Sequence, residues 1–521
     1  MMDAGSNGEM EDGRVAYKWK VLGSVIFGVF MVVLDMTAVN VAFQTVRAEY
    51  GARLSDAQWI ISLYVLAIGV ATPLAGYLAD RFGIKRTYIG GLVTFAIGSL
   101  LCGLAPDLAS LIAARALQGF GGGMAVPLGS ALLLRAFPAD EQGRALGLYG
   151  VAIVFAPMIG PVLGGVLVDL GFWRWIFFIN VPIGAVGVLL ASRLLREERS
   201  PHDHRLDVFG LITVVIGVGS ILYATTVVET SGWRGPGVAL WFGVGVTALV
   251  AFTVTELFVA REPLLDLRLF RHPTFLIASL VGYVTIVSLF GAEFLMPLYL
   301  QAARGLSAMH TGLIMLPMAI AAGIFTPLAG HLYDRIGPRM LLVTGLSLLV
   351  INTWNFARLD ATTPIAWICV LLAIRGAALG LTTQTTFVTA MSVVGGPALP
   401  RGTSLVNATR NVVHSLGVAV LATLAASTLS PRTRVIQAEA NTEAVTGVCV
   451  IGDDTNVARG PWSETELRVA CDESIAGFEL AYTLSFVAAL VALGLGVALP
   501  GWPAAWGGRT AMAGPTRPSG P

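Results

Sequence analysis

The 521-residue chain consists largely of apolar stretches about 20 residues long, repeated from one end to the other. A helix of about that length crosses the hydrocarbon core of a bilayer, and nothing else in the sequence restricts the fold as strongly. Runs at 21–46, 57–79, 87–105, 108–134, 145–168, 175–191, 208–228, 237–258, 274–300, 311–333, 340–357, 362–394, 404–428 and 478–499 predict fourteen spanning helices. Only 12% of residues are charged, against 55% hydrophobic, where a soluble globular protein carries about 25% charged residues. The chain therefore lacks the charge to cover a soluble surface of this size. Its 60 glycines agree, since small residues let lipid-embedded helices approach closely. The expected fold class is an all-α polytopic membrane protein. A net charge of +1 gives no electrostatic basis for a nucleic-acid partner.

An even number of helices places both termini on one side, and arginine bias says which. Loops on the N-terminal side carry Arg81, Lys85, Arg86, Arg135, Arg144, Arg193, Arg196, Arg199, Arg205, Arg261, Arg268, Arg271, Arg335, Arg339 and Arg401. Short loops on the other side carry Arg47, Arg53, Arg174, Arg234, Arg304 and Arg358. The positive-inside rule predicts cytoplasmic termini. Residues 429–477, between helices 13 and 14, then form the one large extramembrane segment, outside the cell. It holds Cys449 and Cys471, whereas Cys102 and Cys369 lie inside helices. An oxidising exterior suits a Cys449–Cys471 disulfide; two unpaired thiols in a disordered loop are the alternative. Residues 1–16 and 501–521 are expected to be disordered. No cleavable signal peptide is expected, because the first apolar run is long and flanked by Lys18 and Lys20.

Gly-Tyr-Leu-Ala-Asp-Arg-Phe-Gly-Ile-Lys-Arg at 76–86 recurs as Gly-His-Leu-Tyr-Asp-Arg-Ile-Gly-Pro-Arg at 330–339. The shared Gly-x-Leu-x-Asp-Arg-x-Gly follows helices 2 and 10, which marks a duplicated six-helix unit with helices 7 and 8 inserted. The expected organisation is a tail at 1–20, a bundle at 21–199, two inserted helices at 200–262, a second bundle at 263–500 containing the 429–477 loop, and a tail at 501–521. Parallel repeats with a substrate path between them are one transporter plan. Asp80 and Asp334 sit where a helix meets a tight turn that Gly83 and Gly337 permit. A carboxylate there can pair with arginines or with a helix N-terminus. With Gly76, Arg81 and Arg335 it could form a latch that holds one conformation. Topogenic charge plus a turn is the plainer reading.

These repeats resemble the major facilitator superfamily, and specifically its fourteen-helix drug:proton antiporter family (EmrB/QacA type). Leu-Asp-Met-Thr-Ala-Val-Asn-Val-Ala at 34–42 resembles that family's first-helix motif, and Arg115, Gln118 and Gly119 its fourth-helix motif. Gly160, Pro161, Gly164 and Gly165 resemble the fifth-helix motif associated with antiporters. Trp173-Arg174-Trp175 with Asn180-Val181-Pro182 resembles a segment of the fourteen-helix branch. The resemblance implies two six-helix bundles plus two inserted helices, export of drug-like small molecules, and a part for Arg115 in proton transfer.

Charges near the bilayer centre cost roughly 2.5–3.5 kcal/mol on insertion scales, so each needs a purpose or a partner. They are Asp35, Arg115, Glu293, Arg375 and Arg410. Glu256 and His331, near helix ends, are expected to snorkel to water. Asp35 and Glu293 precede the two latch aspartates by similar intervals. They would lie about one helical turn apart in height, each presenting an acid to the central cavity. An acid in a poorly hydrated site binds a proton readily and attracts cations, which would couple the two; a structural ion pair is the alternative. Arg115 cannot deprotonate, so it would act by biasing nearby acids. Arg375 sits in the matching helix of the second half, but Gly376 replaces the Gln-Gly context. Arg410, with Asn407 and His414, forms a polar stripe assigned to packing. Proline and glycine in helix 5 suit bending and close approach.

Neither metal-ligand spacing nor a P-loop is present, so no metal, cofactor or direct ATP hydrolysis is expected, and no nucleophile–base arrangement suggests an enzyme. The expected partners are a drug-like substrate, protons and the lipid bilayer, with the chain monomeric in the plasma membrane. The expected function is proton-driven export of amphipathic, often cationic compounds. Export of one endogenous lipid or secondary metabolite is a rival reading, and a transport-inactive receptor or scaffold another.

Overall fold

The computed structural model describes residues 4–500 except 53, 58, 198–206, 233, 236, 261–264, 307, 431, 434, 437–448 and 450–461. Within helices, the side chains of residues 4–16 and of several others, Pro161 and Glu293 among them, also lie outside the described set. Among the described residues there is no strand. The long helices are α1 (Ala4–Glu49), α2 (Trp59–Phe82), α3 (Ile84–Leu104), α4 (Leu108–Ala136), α5 (Gln142–Asp169), α6 (Asn180–Leu194) and α7 (Val208–Ser231). They continue as α8 (Val238–Val254), α9 (Pro273–Leu298), α10 (Ala308–Ile336), α11 (Pro338–Phe356), α12 (Ile365–Met391), α13 (Leu399–Ser427) and α14 (Glu464–Val497). Among the described residues twelve helices are long and apolar enough to cross a membrane. α9 contributes a shorter apolar stretch, Pro273–Leu289, and α13 is the more polar remaining helix.

Boundaries follow local chemistry. Asp107 caps α4, accepting from the Ser110 N–H while Ser110 reaches back to the cap. Gly83 and Gly337, with φ of 95° and 78°, turn the chain into α3 and α11 at matched positions of the repeat. Only glycine adopts such angles without strain.

Three expectations change. α1 begins at Ala4 rather than after a disordered tail; extending a formed helix is far easier than nucleating one, and no proline interrupts this stretch. α14 starts at Glu464, inside the segment expected to be loop, because Ser463 and Glu466 form a capping box. Glu256 does not reach water: it is 1% exposed and sits beside Gly210 in the first turn of α7, where missing Cβ bulk and the helix's positive end accommodate a carboxylate.

α1 to α6 pack as one lobe and α9 to α14 as another, while α7 and α8 pair with each other and α7 rests on α2 and α13. Trp59 of α2 stacks on Tyr223 of α7 at 5.5 Å. The apolar core is continuous at the arginine-rich end, where Val21, Ala75 and Leu146 of the first lobe join Ala329, Leu341 and Leu405 of the second. At the opposite end it divides in two. Ala38, Ile60 and Phe177 belong to a cluster within the first lobe, and Leu295, Phe356 and Tyr482 to one within the second. The lobes are thus closed together at one end only.

Candidate functional site: a buried ion pair and an interlobe latch

Asp35 projects from the middle of α1 into its own lobe and is 1% exposed. Its Oδ2 accepts from Arg115 Nη1 of α4 at 2.5 Å, and its Oδ1 from Gln118 Nε2 and Asn180 Nδ2, each at 2.8 Å. Arg115 also donates to Gln118 Oε1 at 2.7 Å and to the Ile60 carbonyl at 3.2 Å. Its guanidinium lies 3.8 Å from the centre of the Tyr64 ring, close enough for a cation–π contact. Asn180 donates further to Ser99 Oγ, which donates to the Phe177 carbonyl. One carboxylate therefore joins α1, α4 and α6. α3 packs closely on α4 behind this network because glycine removes bulk: a Cβ at Gly98 would stand 2.6 Å from the Gln118 nitrogen. Removing one partner of a buried pair typically costs about 3–5 kcal/mol, since the other charge is left uncompensated.

The second lobe repeats half of this arrangement. Arg375 is 2% exposed and donates to Asn352 Oδ1 and to the carbonyls of Ser288 and Leu289. The offset of 254 positions between Asp80 and Asp334 maps position 35 onto Leu289. A backbone carbonyl thus stands where the first lobe has a carboxylate. Gly376 meets the Met318 carbonyl as Gly119 meets that of Tyr64, so Arg375 stands at the position of Gln118, about one helical turn from that of Arg115. The Glu293 side chain falls outside the described residues.

Both latch aspartates reach across the lobes at the arginine-rich end. Asp80 accepts from Arg401 Nε of α13 at 2.5 Å, and a Cβ on neighbouring Gly76 would lie 3.1 Å from the Arg401 Cα. Asp334 accepts from the Gly143 and Arg144 backbone N–H groups at 3.0 and 2.9 Å. These belong to the first turn of α5, whose free N–H groups favour an anion. Arg135 adds bonds to the Gly396 and Pro397 carbonyls. α5 and α10 cross on glycine, with a Cβ on Gly147 falling 3.0 Å from the Gly330 Cα. Arg81 bonds to Tyr77 in its own helix, and Arg335 is exposed.

In the fifth helix, Gly160 and Gly164 face α1 at Thr37 and Ala38, a Cβ on Gly164 falling 2.8 Å from the Ala38 carbonyl. Gly165 faces open space, and the Pro161 side chain is outside the described set. Cys449 and Cys471 are joined by a disulfide, and the Cys449 N–H donates to the Ala303 carbonyl.

The sequence pointed to Asp35, Arg115 and the two latch aspartates, and the structure gives each a partner. It did not point to Asn180 or Ser99 as members of the Asp35 network. Nor did it single out Arg401, counted only as topogenic charge, or the α5 N-terminus.

The profile described as Major Facilitator Superfamily matches residues 25–418. The "Multidrug resistance protein B homolog" of Mycobacterium tuberculosis (strain ATCC 25618 / H37Rv) is 30% identical over 409 residues, 78% of this chain and 76% of that protein. The "Multidrug transporter protein MdtP" of Bacillus subtilis (strain 168) is 30% identical over 372 residues, 71% of this chain and 68% of its own. The crystal structure of the human organic anion transporter MFSD10 (TETRAN) matches with a TM-score of 0.59 at 14% identity, across 92% of this chain and 99% of that chain, a likeness of fold alone. The chain belongs to the major facilitator superfamily, with relatives in its drug-efflux branch, and is a multi-pass membrane transporter rather than an enzyme.

Proposed function

We propose that this transporter is a proton-coupled exporter of amphipathic, often cationic compounds, working by alternating access in the plasma membrane with both termini in the cytoplasm. The observation that carries the reading is the Asp35–Arg115 pair, a single ionisable acid sealed among three helices of one lobe. Arginine bias supports a cytoplasmic side for the joined end, and on this reading the lobes are closed toward the cytoplasm and divided toward the outside.

Asp35 is shut off from the space between the lobes, so proton and substrate do not compete directly for it here. Coupling runs through the pair. Protonation from outside cancels the Asp35 charge and frees Arg115, which keeps the Ile60 carbonyl and Gln118 Oε1 as acceptors. The tie between α1 and α4 weakens, and the lobe becomes free to repack toward the inward-facing form. Exchange of one proton for a monovalent cation moves no net charge and draws on the pH difference alone, whereas for an uncharged substrate one charge moving through about 100 mV supplies about 2.3 kcal/mol.

Inverted membrane vesicles loaded by an imposed pH gradient test this, with ethidium as the probe. Asp35→Asn is expected to lose proton-driven ethidium transport while still binding the dye, and Glu293→Gln run in parallel asks whether a second acid takes part. Unchanged proton-driven transport in Asp35→Asn removes that acid from the mechanism.

A further inference from the structure

A second polar site lies in the other lobe, apart from the Asp35 network. Arg410 of α13 lines a cavity of ≈ 20 Å³ between α9, α12 and α13, room for about one water-sized group. Among the described residues no carboxylate is ion-paired with Arg410. Beside it the Thr285 hydroxyl forms no hydrogen bond although the residue is only 2% exposed, and the hydroxyls of Ser279 and Tyr283 have no partner beyond each other and Thr409. All three line the same cavity.

Buried hydroxyls are normally bonded, and each unmade bond calls for an explanation. Arg410 is half-buried, and positive charge at the depth of the bilayer calls for an anion, water or a carbonyl cage. Arg375, in the same lobe, shows the cage; among the described residues Arg410 has no such set of acceptors. We infer that this cavity takes the anionic head group of a substrate, a carboxylate or a group of similar size. Arg410 supplies the charge and the hydroxyls of Ser279 and Tyr283 donate to the same oxygens. The chamber has room for the head group only, so the apolar body would lie outside it, along the lobe. Arg410 is nine residues beyond Arg401, about 14 Å deeper along α13, a depth suited to loading from the cytoplasm. This inference relies on the transport reading for that route, and its binding test does not.

The probes are dansylglycine and its uncharged amide, titrated against the purified full-length protein in nanodiscs. The wild type is expected to prefer the carboxylate by roughly tenfold or more, as charge-assisted hydrogen bonds imply. Arg410→Gln is expected to erase the preference while leaving amide binding unchanged. Should that variant fail to fold, Ser279→Ala combined with Tyr283→Phe keeps the charge and is expected to reduce the preference several-fold. Equal affinity for the two probes in the wild type overturns the inference, as does a preference that survives both variants. Arg410-dependent stabilisation by chloride without carboxylate binding also overturns it, by making the cavity a halide site. Ethidium transport is read separately. Its loss of proton dependence would count against the proposed function and leave the dansylglycine result standing.

Discussion

Asp80 and Arg401 are separated by 321 positions in the chain, yet their side chains meet at 2.5 Å across the boundary between the lobes. Both are mostly buried, with side chains 5% and 15% exposed, so the pair is screened less than a surface ion pair. We expect Asp80→Asn or Arg401→Gln to destabilise the closed arginine-rich end by about 3 kcal/mol, near a hundredfold change in population. The exchange Asp80→Arg with Arg401→Asp is expected to restore part of it. Spin labels at Phe82 and Met340, exposed near the same end of the two lobes, would report the separation. Unchanged distances in the single variants would mean that the pair does not hold the gate.

The Asp334 contact depends on backbone, so the informative substitution lies opposite it. Gly143→Ala places a Cβ 2.7 Å from Asp334 Oδ1 and from the Gly330 carbonyl. Alanine favours a helix over glycine by about 1 kcal/mol, so α5 itself should not suffer. The same spin labels are expected to move apart in this variant. A closed population equal to wild type would show that the seam tolerates a methyl group.

For the buried pair, stability and transport should separate. Arg115→Gln leaves Asp35 unpaired in a dry site and is expected to cost about 3–5 kcal/mol, read as a lowered thermal midpoint. The double variant Asp35→Asn, Arg115→Gln is expected to recover most of that midpoint without recovering proton-driven efflux. Recovery of both would reduce the pair to a packing element.

Outside the bilayer, Asp360 offers a pH signature. Hydrogen bonds from Thr362, and then from Thr363, hold its carboxyl below the usual carboxylate range. A folded value below the unfolded one means that the charged form is favoured in the fold. Its contribution is complete above the unfolded value of about 4 and fades as pH falls through the folded one. The difference in thermal midpoint between wild type and Asp360→Ala is therefore expected to be constant above pH ~5 and to shrink below ~4. A difference that grew on acidification would contradict the assignment.

The helices were legible because apolar runs of spanning length carry their own signal. Gly83 and Gly337 were legible because a tight turn needs what only glycine permits. What the sequence could not carry was partner choice. Asp80 could pair with any arginine near its helix end, and its partner is set by how α2 lies against α13. Asp334 is met by backbone N–H groups, which no side-chain pattern reveals. Asp35 was expected to face the central cavity, with a structural ion pair as the alternative; it turns into its own lobe, and Asn180, from a motif read only as a family mark, completes its shell. Glu256 escaped for a related reason, since the Gly210 notch that receives it lies in another helix.

The covalent link at Cys449 has a consequence for how the molecule moves. Cys471, at its other end, lies inside α14, and the Ala303 carbonyl that the Cys449 N–H reaches follows α9. Every anchor of this brace sits on one body. It stiffens that body at the end opposite the arginine-rich one without tying it to its neighbour, so the two lobes meet no covalent tether there. A covalent cross-link within one lobe is thereby compatible with movement between the lobes.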